Sequence, residues 1–378
     1  MRITRIQLTN WKNFHSVNSV LQDRTFLVGP NASGKSNFLD AFRFIQDIVK
    51  IGGGFQDAIG RRGGIKRIRC LSARKSTEVS ISVDLGDDED PINWSYLIEF
   101  TQDKQRRATI KKEVVKRHGI VILDRPEQED ENDPDRLRHT HLEQINANKD
   151  FRSISDFFST ITYLHLVPQL VRDPDRSVGK KNDPYGGDLL ENIALTRKAT
   201  REARLARIEE VFRIAVPQLS ELELHRDAKG TPHLRAKYEH WRKGGAWQDE
   251  DQFSDGTLRL LGLLWACLDS NGPILLEEPE LSLHPEIVQH IPALFSNLNK
   301  KNLQFIVSTH SPNLLFDEGI APDEVLMLTP SKNGTTTRLA ITDDEVMELL
   351  QGDMTLLAEI VLRKTSPQLA YQLSMFNI

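Results

Sequence analysis

Thr25-Phe26-Leu27-Val28-Gly29-Pro30-Asn31-Ala32-Ser33-Gly34-Lys35-Ser36 is the stretch on which the reading of the fold turns. Its first four residues are β-formers and read as a short buried strand. Downstream, Phe38, Leu39, Ala41, Phe42, Phe44, Ile45 and Ile48 recur at helical spacing. The order is therefore strand, glycine-rich loop, helix. The loop, Gly29 to Ser36, matches G-x-x-x-x-G-K-[ST]. Glycines let backbone N–H groups converge on phosphate oxygens, and the helix that follows presents its positive end. Lys35 has the reach for β- and γ-phosphates, and the Ser36 hydroxyl can ligate Mg²⁺. Gly29, Pro30, Asn31, Ala32, Ser33, Gly34, Lys35 and Ser36 are thus the expected phosphate-binding residues.

Three further stretches carry chemistry. Pro273-Ile274-Leu275-Leu276-Glu277-Glu278-Pro279-Glu280 is an apolar run that ends in paired carboxylates. A buried strand delivering acids at its C-terminal end suits a magnesium–nucleotide site. Glu277 is placed to hold the metal or its water shell, and Glu278 to orient and polarise an attacking water. Phe305-Ile306-Val307-Ser308-Thr309-His310-Ser311 is a second buried strand, with His310 at its end and room for one helix before it. His310 can donate a hydrogen bond to a γ-phosphate or to the water. Phe253-Ser254-Asp255-Gly256-Thr257 precedes the helical run Leu258 to Leu268. A Ser-x-Gly turn there offers a hydroxyl and bare N–H groups to an anion, and the same residues also make a plain N-cap.

The order of these elements resembles the ATP-binding-cassette ATPases of the SMC, RecF and OLD branch. The opening run from Ile3 through Trp11-Lys12-Asn13-Phe14 is similar to that branch's first strand and turn, and Glu277 to Pro285 is similar to OLD-like ATPases. The resemblance implies an α/β fold: an ABC-type ATPase head, with a P-loop core, an antiparallel β subdomain and a helical insertion. It implies residues 1–100 as the first half of the head, 101–218 as the insertion, 219–335 as the second half and 336–378 as a helical tail. The implied cofactors are ATP at residues 29–36 and Mg²⁺ at Ser36 and Glu277. Ser254, Asp255 and Gly256 would be the signature that contacts the γ-phosphate held by the opposite subunit, Glu278 the catalytic acid and His310 the switch histidine. Two copies would sandwich two ATP molecules head to tail. Glu277 stands where many members have Asp, and Asp255 where transporters have Gly. The glutamine loop is not assigned; Gln169 and Gln144 both remain candidates.

Composition bounds the rest. A chain of 378 residues, 39% apolar and 27% charged, has enough apolar content for a sizeable core. Two cysteines, Cys70 and Cys267, argue against a disulfide framework and for a reducing compartment, and the expected location is the cytoplasm. No apolar run is long enough to span a membrane. The net charge of −5 argues against a globally basic nucleic-acid coat. A local basic cluster, Arg61, Arg62, Lys66, Arg67, Arg69, Arg74 and Lys75, is placed either to contact DNA phosphates or to form a solvated loop. Arg197, Arg201 and Arg204 share a helical face within a continuous helical run from Glu191 to Val216. Residues 124 to 139, dense in acids, prolines and arginines, read as a solvated loop. The middle is too short for an SMC coiled coil, and too little chain follows His310 for a Toprim nuclease. The expected partners are therefore a second copy, a separate effector such as a nuclease or toxin, and DNA. The setting implied by resemblance is anti-phage defence. The alternatives are a RecF-like DNA repair ATPase and a nucleotide-gated scaffold that holds a toxin or nuclease with little turnover.

Overall fold

The structure is a computed structural model that describes residues 1–73, 76–173, 183–239, 245–299, 303–351 and 356–366. Arg74 and Lys75 of the basic cluster, 174–182 and 367–378 of the tail lie outside the described residues. The chain forms two units. One comprises Met1–Ile161, Asn271–Leu275 and Pro292–Ile378; the other comprises Thr162–Ser270 and Leu276–Ile291.

The first unit is built on two sheets. One has six antiparallel strands in the order Phe14–Val20, Arg2–Trp11, Val79–Gly86, Trp94–Gln102, Ala108–Arg117, Ile120–Arg125. The alternating burial of Val79–Gly86 and Trp94–Gln102 follows their period-two pattern. The other is centred on Arg24–Val28, every residue of which is buried. Phe305–Thr309 runs parallel on one side of it and Val325–Ser331 on the other, and Gly334–Leu339 closes the edge as a hairpin. Ile274 donates its N–H to the Gln304 carbonyl at 2.8 Å, which starts the strand that runs on to Glu277. The buried Gln304 side chain also exchanges two hydrogen bonds with the backbone of Ile3, at 2.9 and 2.7 Å, and so ties the antiparallel sheet to the central one.

The segment 124–139 faces solvent along most of its length, as its composition suggests, but it carries two short helices, Gln128–Asn132 and Pro134–Arg138, and is anchored by two buried charges, Arg125 and Asp130. Arg125 is fully buried and donates to both oxygens of Asp130, to Glu113 and to the carbonyls of Arg136 and His139. Glu113 in turn accepts from the Tyr96 hydroxyl and from the amides of His141 and Leu142. Burial lifts the Glu113 carboxyl above its ordinary range, against the pull of the His141 amide and Arg125. Burial also works to raise Asp130, but the Arg125 hydrogen bonds outweigh it and bring that carboxyl to about 2. Every charge here has partners, which is the condition under which ions tolerate burial.

The basic cluster is likewise drawn inward in part. The Arg62 side chain is largely covered, pairs with Asp40 and Asp47 at 2.8 and 2.9 Å, and lies over the Phe44 ring. Arg61 pairs with Asp57. Arg62 is thus committed to acids from the preceding helix and not to a DNA backbone.

The second unit holds a three-stranded sheet, Ala246–Asp249, Pro232–Tyr238 and Leu219–Arg226, and the apolar helix Asp255–Asp269. The expected single helix from 191 to 216 is two, Leu189–Leu195 and Lys198–Ala215. Thr196 and Arg197 take extended-type backbone angles between them, and Arg201 donates to the carbonyls of Ala194 and Thr196. Arg204 pairs with Asp269 and lies over Trp265, so this arginine face is partly structural.

Removing the guanidinium should expose the logic of the buried network. Arg125→Ala leaves Glu113 and Asp130 buried without their cation. It should lower unfolding stability by about 3–5 kcal/mol in denaturant titration; a loss under about 1 kcal/mol would mean that the network is not a determinant of the fold.

Candidate functional site

In the first unit the loop 29–34 leaves the strand Arg24–Val28 and enters the helix Lys35–Val49. Gly34 caps this helix at φ 98°, contributes no capping side chain, and is followed by no acid in the first turn. The helix start is therefore open to an anion and carries no competing carboxylate. A Cβ on Gly34 would also fall on the Asn13 side-chain amide, so both the dihedral and the space require glycine. Ala32, at φ 63°, adopts the left-handed region as well. The Ser33 carbonyl accepts from the Asn13 amide at 2.9 Å and from the Thr335 hydroxyl at 2.8 Å. Asn13 is itself held by Asn37 and Thr335. Lys35 is buried, with its ammonium on the carbonyls of Gly29 and Pro30 at 2.8 and 3.2 Å.

His310 belongs to this unit too. Thr309 pairs with Val28 in the parallel ladder, so His310 and Gly29 leave the sheet at the same end. His310 is exposed, whereas the strand before it is wholly buried.

The remaining expected residues lie in the second unit. Glu277 ends its strand and accepts a hydrogen bond from the Tyr163 hydroxyl. Glu278 takes φ 47°, an uncommon conformation for a non-glycine residue, and opens a tight turn in which Leu281 and Leu283 bond back to Glu278 and Glu280. Ser254 is the N-cap of the helix Asp255–Asp269, and its Oγ accepts from the Thr257 amide at 3.1 Å. The capping geometry is thus present, the Oγ also lies 2.8 Å from the Thr257 hydroxyl, and Ser254 as a residue is exposed. A Cβ on Gly256 would collide with the Ser282 carbonyl oxygen, so the serine turn is pressed onto the turn that follows Glu278. Arg259, one helical turn further, feels Asp255, Glu278 and Glu280; burial lowers its proton affinity and these acids oppose that effect.

The structure therefore gathers Gly29–Ser36 with His310, and Ser254–Gly256 with Glu277 and Glu278. Asn13, Tyr163, Arg172 and Arg259 join these groups without any motif of their own. Tyr163 lies 114 positions from Glu277, and Arg172 lies 81 from Phe253, where it donates to the carbonyl. No local spacing signals such pairs.

The family described as "AAA domain, putative AbiEii toxin, Type IV TA system" matches residues 24–317. Among solved structures, the chain is similar to an SMC head bound to the C-terminal winged-helix domain of ScpA, at 15% identity and a TM-score of 0.57, covering 92% of this chain and all of that one. It is also similar to SMC heads from Pyrococcus yayanosii and Pyrococcus furiosus. These are 12% and 14% identical, with TM-scores of 0.52 and 0.50, each over 93% of this chain and 99% of the other. The fold is that of an SMC-type ATPase head. No curated protein matches the sequence.

The contact between the serine turn and the acid turn gives a direct test. Gly256→Ala must push one turn off the other. Overpacking of this kind costs about 1–3 kcal/mol, and amide exchange at 279–283 should quicken. Unchanged exchange and an unchanged melting midpoint would remove this contact from the account of the site.

Proposed function

This chain belongs to that AAA-domain family, and on that premise we propose that it is a Mg²⁺-dependent ATP hydrolase that dimerises head to tail around ATP. The observation that carries the reading is the uncapped, acid-free start of the helix at Gly34-Lys35-Ser36, held open by Asn13 and Thr335. Residues 29–36 would bind the nucleotide phosphates, with Lys35 exchanging its two loop carbonyls for phosphate oxygens. Ser36 and Glu277 are oxygen donors of the kind that Mg²⁺ takes. Among the described residues no group of three or more His, Cys, Asp or Glu stands together to hold a metal. When bound, Mg²⁺ would supply charge that offsets the negative charge on the transferring phosphoryl group.

Glu278 would accept the proton of the attacking water, and His310 would donate to the γ-phosphate. Ser254 and Gly256, with Asp255, would meet the γ-phosphate held by a second copy, so that ATP joins the two protomers and hydrolysis parts them. Two of the matched SMC heads were solved with domains of ScpA. Those complexes support a head that works on a separate partner protein; in the reading proposed here that partner is an effector such as a nuclease or toxin, or DNA, and the setting is anti-phage defence in the cytoplasm. Among the described residues no helix is long and apolar enough to cross a membrane.

Glu278→Gln should retain ATP binding, lose hydrolysis by at least about a hundredfold, and accumulate an ATP-bound dimer in light scattering. Wild-type turnover by this variant would move the base elsewhere.

The composite site is tested by mixing. Lys35→Ala and Ser254→Ala should each be inactive alone. Together they regain part of the hydrolysis, because a head-to-tail pair restores one site with Lys35 from one protomer and Ser254 from the other. Full activity of Ser254→Ala by itself would end the head-to-tail reading.

A further inference from the structure

The serine turn carries an acid. Asp255 is next to Ser254 and half exposed, and a carboxylate so close to a phosphate-binding hydroxyl would repel the anion that the turn is meant to receive. The structure supplies an answer from a different part of the second unit. Arg172 follows the short helix Pro168–Val171. Its Nη2 lies 2.6 Å from the Asp255 carboxylate and donates to the Phe253 carbonyl at 2.6 Å. Its two acceptors are the residues on either side of Ser254. The Phe253 carbonyl precedes the helix, whose first backbone bond runs from Leu258 to Ser254, so the guanidinium satisfies an oxygen outside the helical ladder. The rest of the turn is pinned by the buried Phe253 ring, the Thr257 amide on Ser254 and the packing of Gly256 on Ser282.

We propose that Arg172 is a positioning residue for the serine turn. It offsets the charge of Asp255 and ties that side chain to the Phe253 carbonyl, the backbone just before Ser254, so that the Ser254 hydroxyl can take the γ-phosphate presented by a second protomer. This rests on the reading of Ser254 as a nucleotide contact. It also accounts for an acid at a position that would otherwise disfavour an anion: aspartate is tolerated here because the arginine neutralises it. Both contacts are made by Nη2; a lysine would keep the charge but carry it on a flexible stem without the preorganised guanidinium plane, and so hold the two acceptors less firmly.

The experiment compares Arg172→Ala, Arg172→Lys, the double variant Arg172→Ala with Asp255→Asn, and Ser254→Ala, all in the full chain. ATP affinity of the protomer is followed with a fluorescent ATP analogue, ATP-dependent dimerisation by light scattering, and turnover by phosphate release. Arg172→Ala is expected to keep protomer affinity within about twofold, and to weaken dimerisation and kcat by about tenfold or more. Arg172→Lys should retain part of both. The double variant should recover dimerisation relative to Arg172→Ala, because removing the acid removes the need for its counter-charge. A merely structural arginine would not give that recovery.

If Arg172→Ala dimerises and turns over like the parent while Ser254→Ala does not, the positioning role fails and the serine reading stands. If the double variant is no better than Arg172→Ala and both melt earlier, Arg172 is only a support and the counter-charge is refuted. If Ser254→Ala itself behaves like the parent, the underlying reading falls and the proposal with it.

Discussion

The carbonyl oxygen of Ser33 accepts two hydrogen bonds, from the side chains of Asn13 and Thr335, and much of the first unit is arranged to deliver those donors. A loop that turns its N–H groups toward an anion must turn carbonyls the other way, where an unpaired buried oxygen costs about 1–3 kcal/mol. Asn13 comes from the turn that joins the first two strands of the antiparallel sheet, and Thr335 from the hairpin at the edge of the central sheet. The loop is thus braced from two sheets at once. The Trp11 indole adds a bond to the Asn37 carbonyl at 2.7 Å, which extends the brace into the first turn of the helix. The preorganisation of the phosphate loop is in this sense a property of the sheets' packing.

The arginines follow a related rule. Arg24, Arg62 and Arg125 are each largely buried, and each binds acidic side chains and backbone carbonyls together. A planar fork of five donors can satisfy several acceptors from different segments in one fixed geometry, where lysine offers three donors on a flexible stem. The chain therefore uses arginine to fasten loops onto regular elements. Arg172 does the same at the serine turn, with the difference that its acceptors flank an exposed serine.

Motifs whose chemistry is local were legible in the sequence. Gly29–Ser36 sits between a strand and a helix because β-formers, glycines and helically spaced apolar residues follow one another within one stretch. The acids after Leu276 end a strand for the same reason. What failed to show in the sequence depends on distant partners. Residues 124–139 do face solvent for the most part, but nothing local marks Arg125 as buried, because its partner Glu113 lies on another strand, and Arg62 looks free because Asp40 and Asp47 lie in another element. The break at Thr196 escaped because helical periodicity survives a two-residue interruption. Tyr163 and Arg172 carry no pattern at all; only the fold brings them to Glu277 and Asp255.

The bracing of the phosphate loop also orders events in time. Asn13 and Thr335 are separated by 322 positions, and Ile3 and Gln304 by 301. During synthesis at about 5–20 residues per second, a nascent chain carries its glycine-rich loop for on the order of tens of seconds before the hairpin that steadies it has been made. Over that interval the loop has its sequence but lacks the Thr335 donor. The full set of braces is therefore acquired late, as the last strands join the central sheet, and a chain interrupted before Thr335 should emerge with its glycine-rich loop incompletely held.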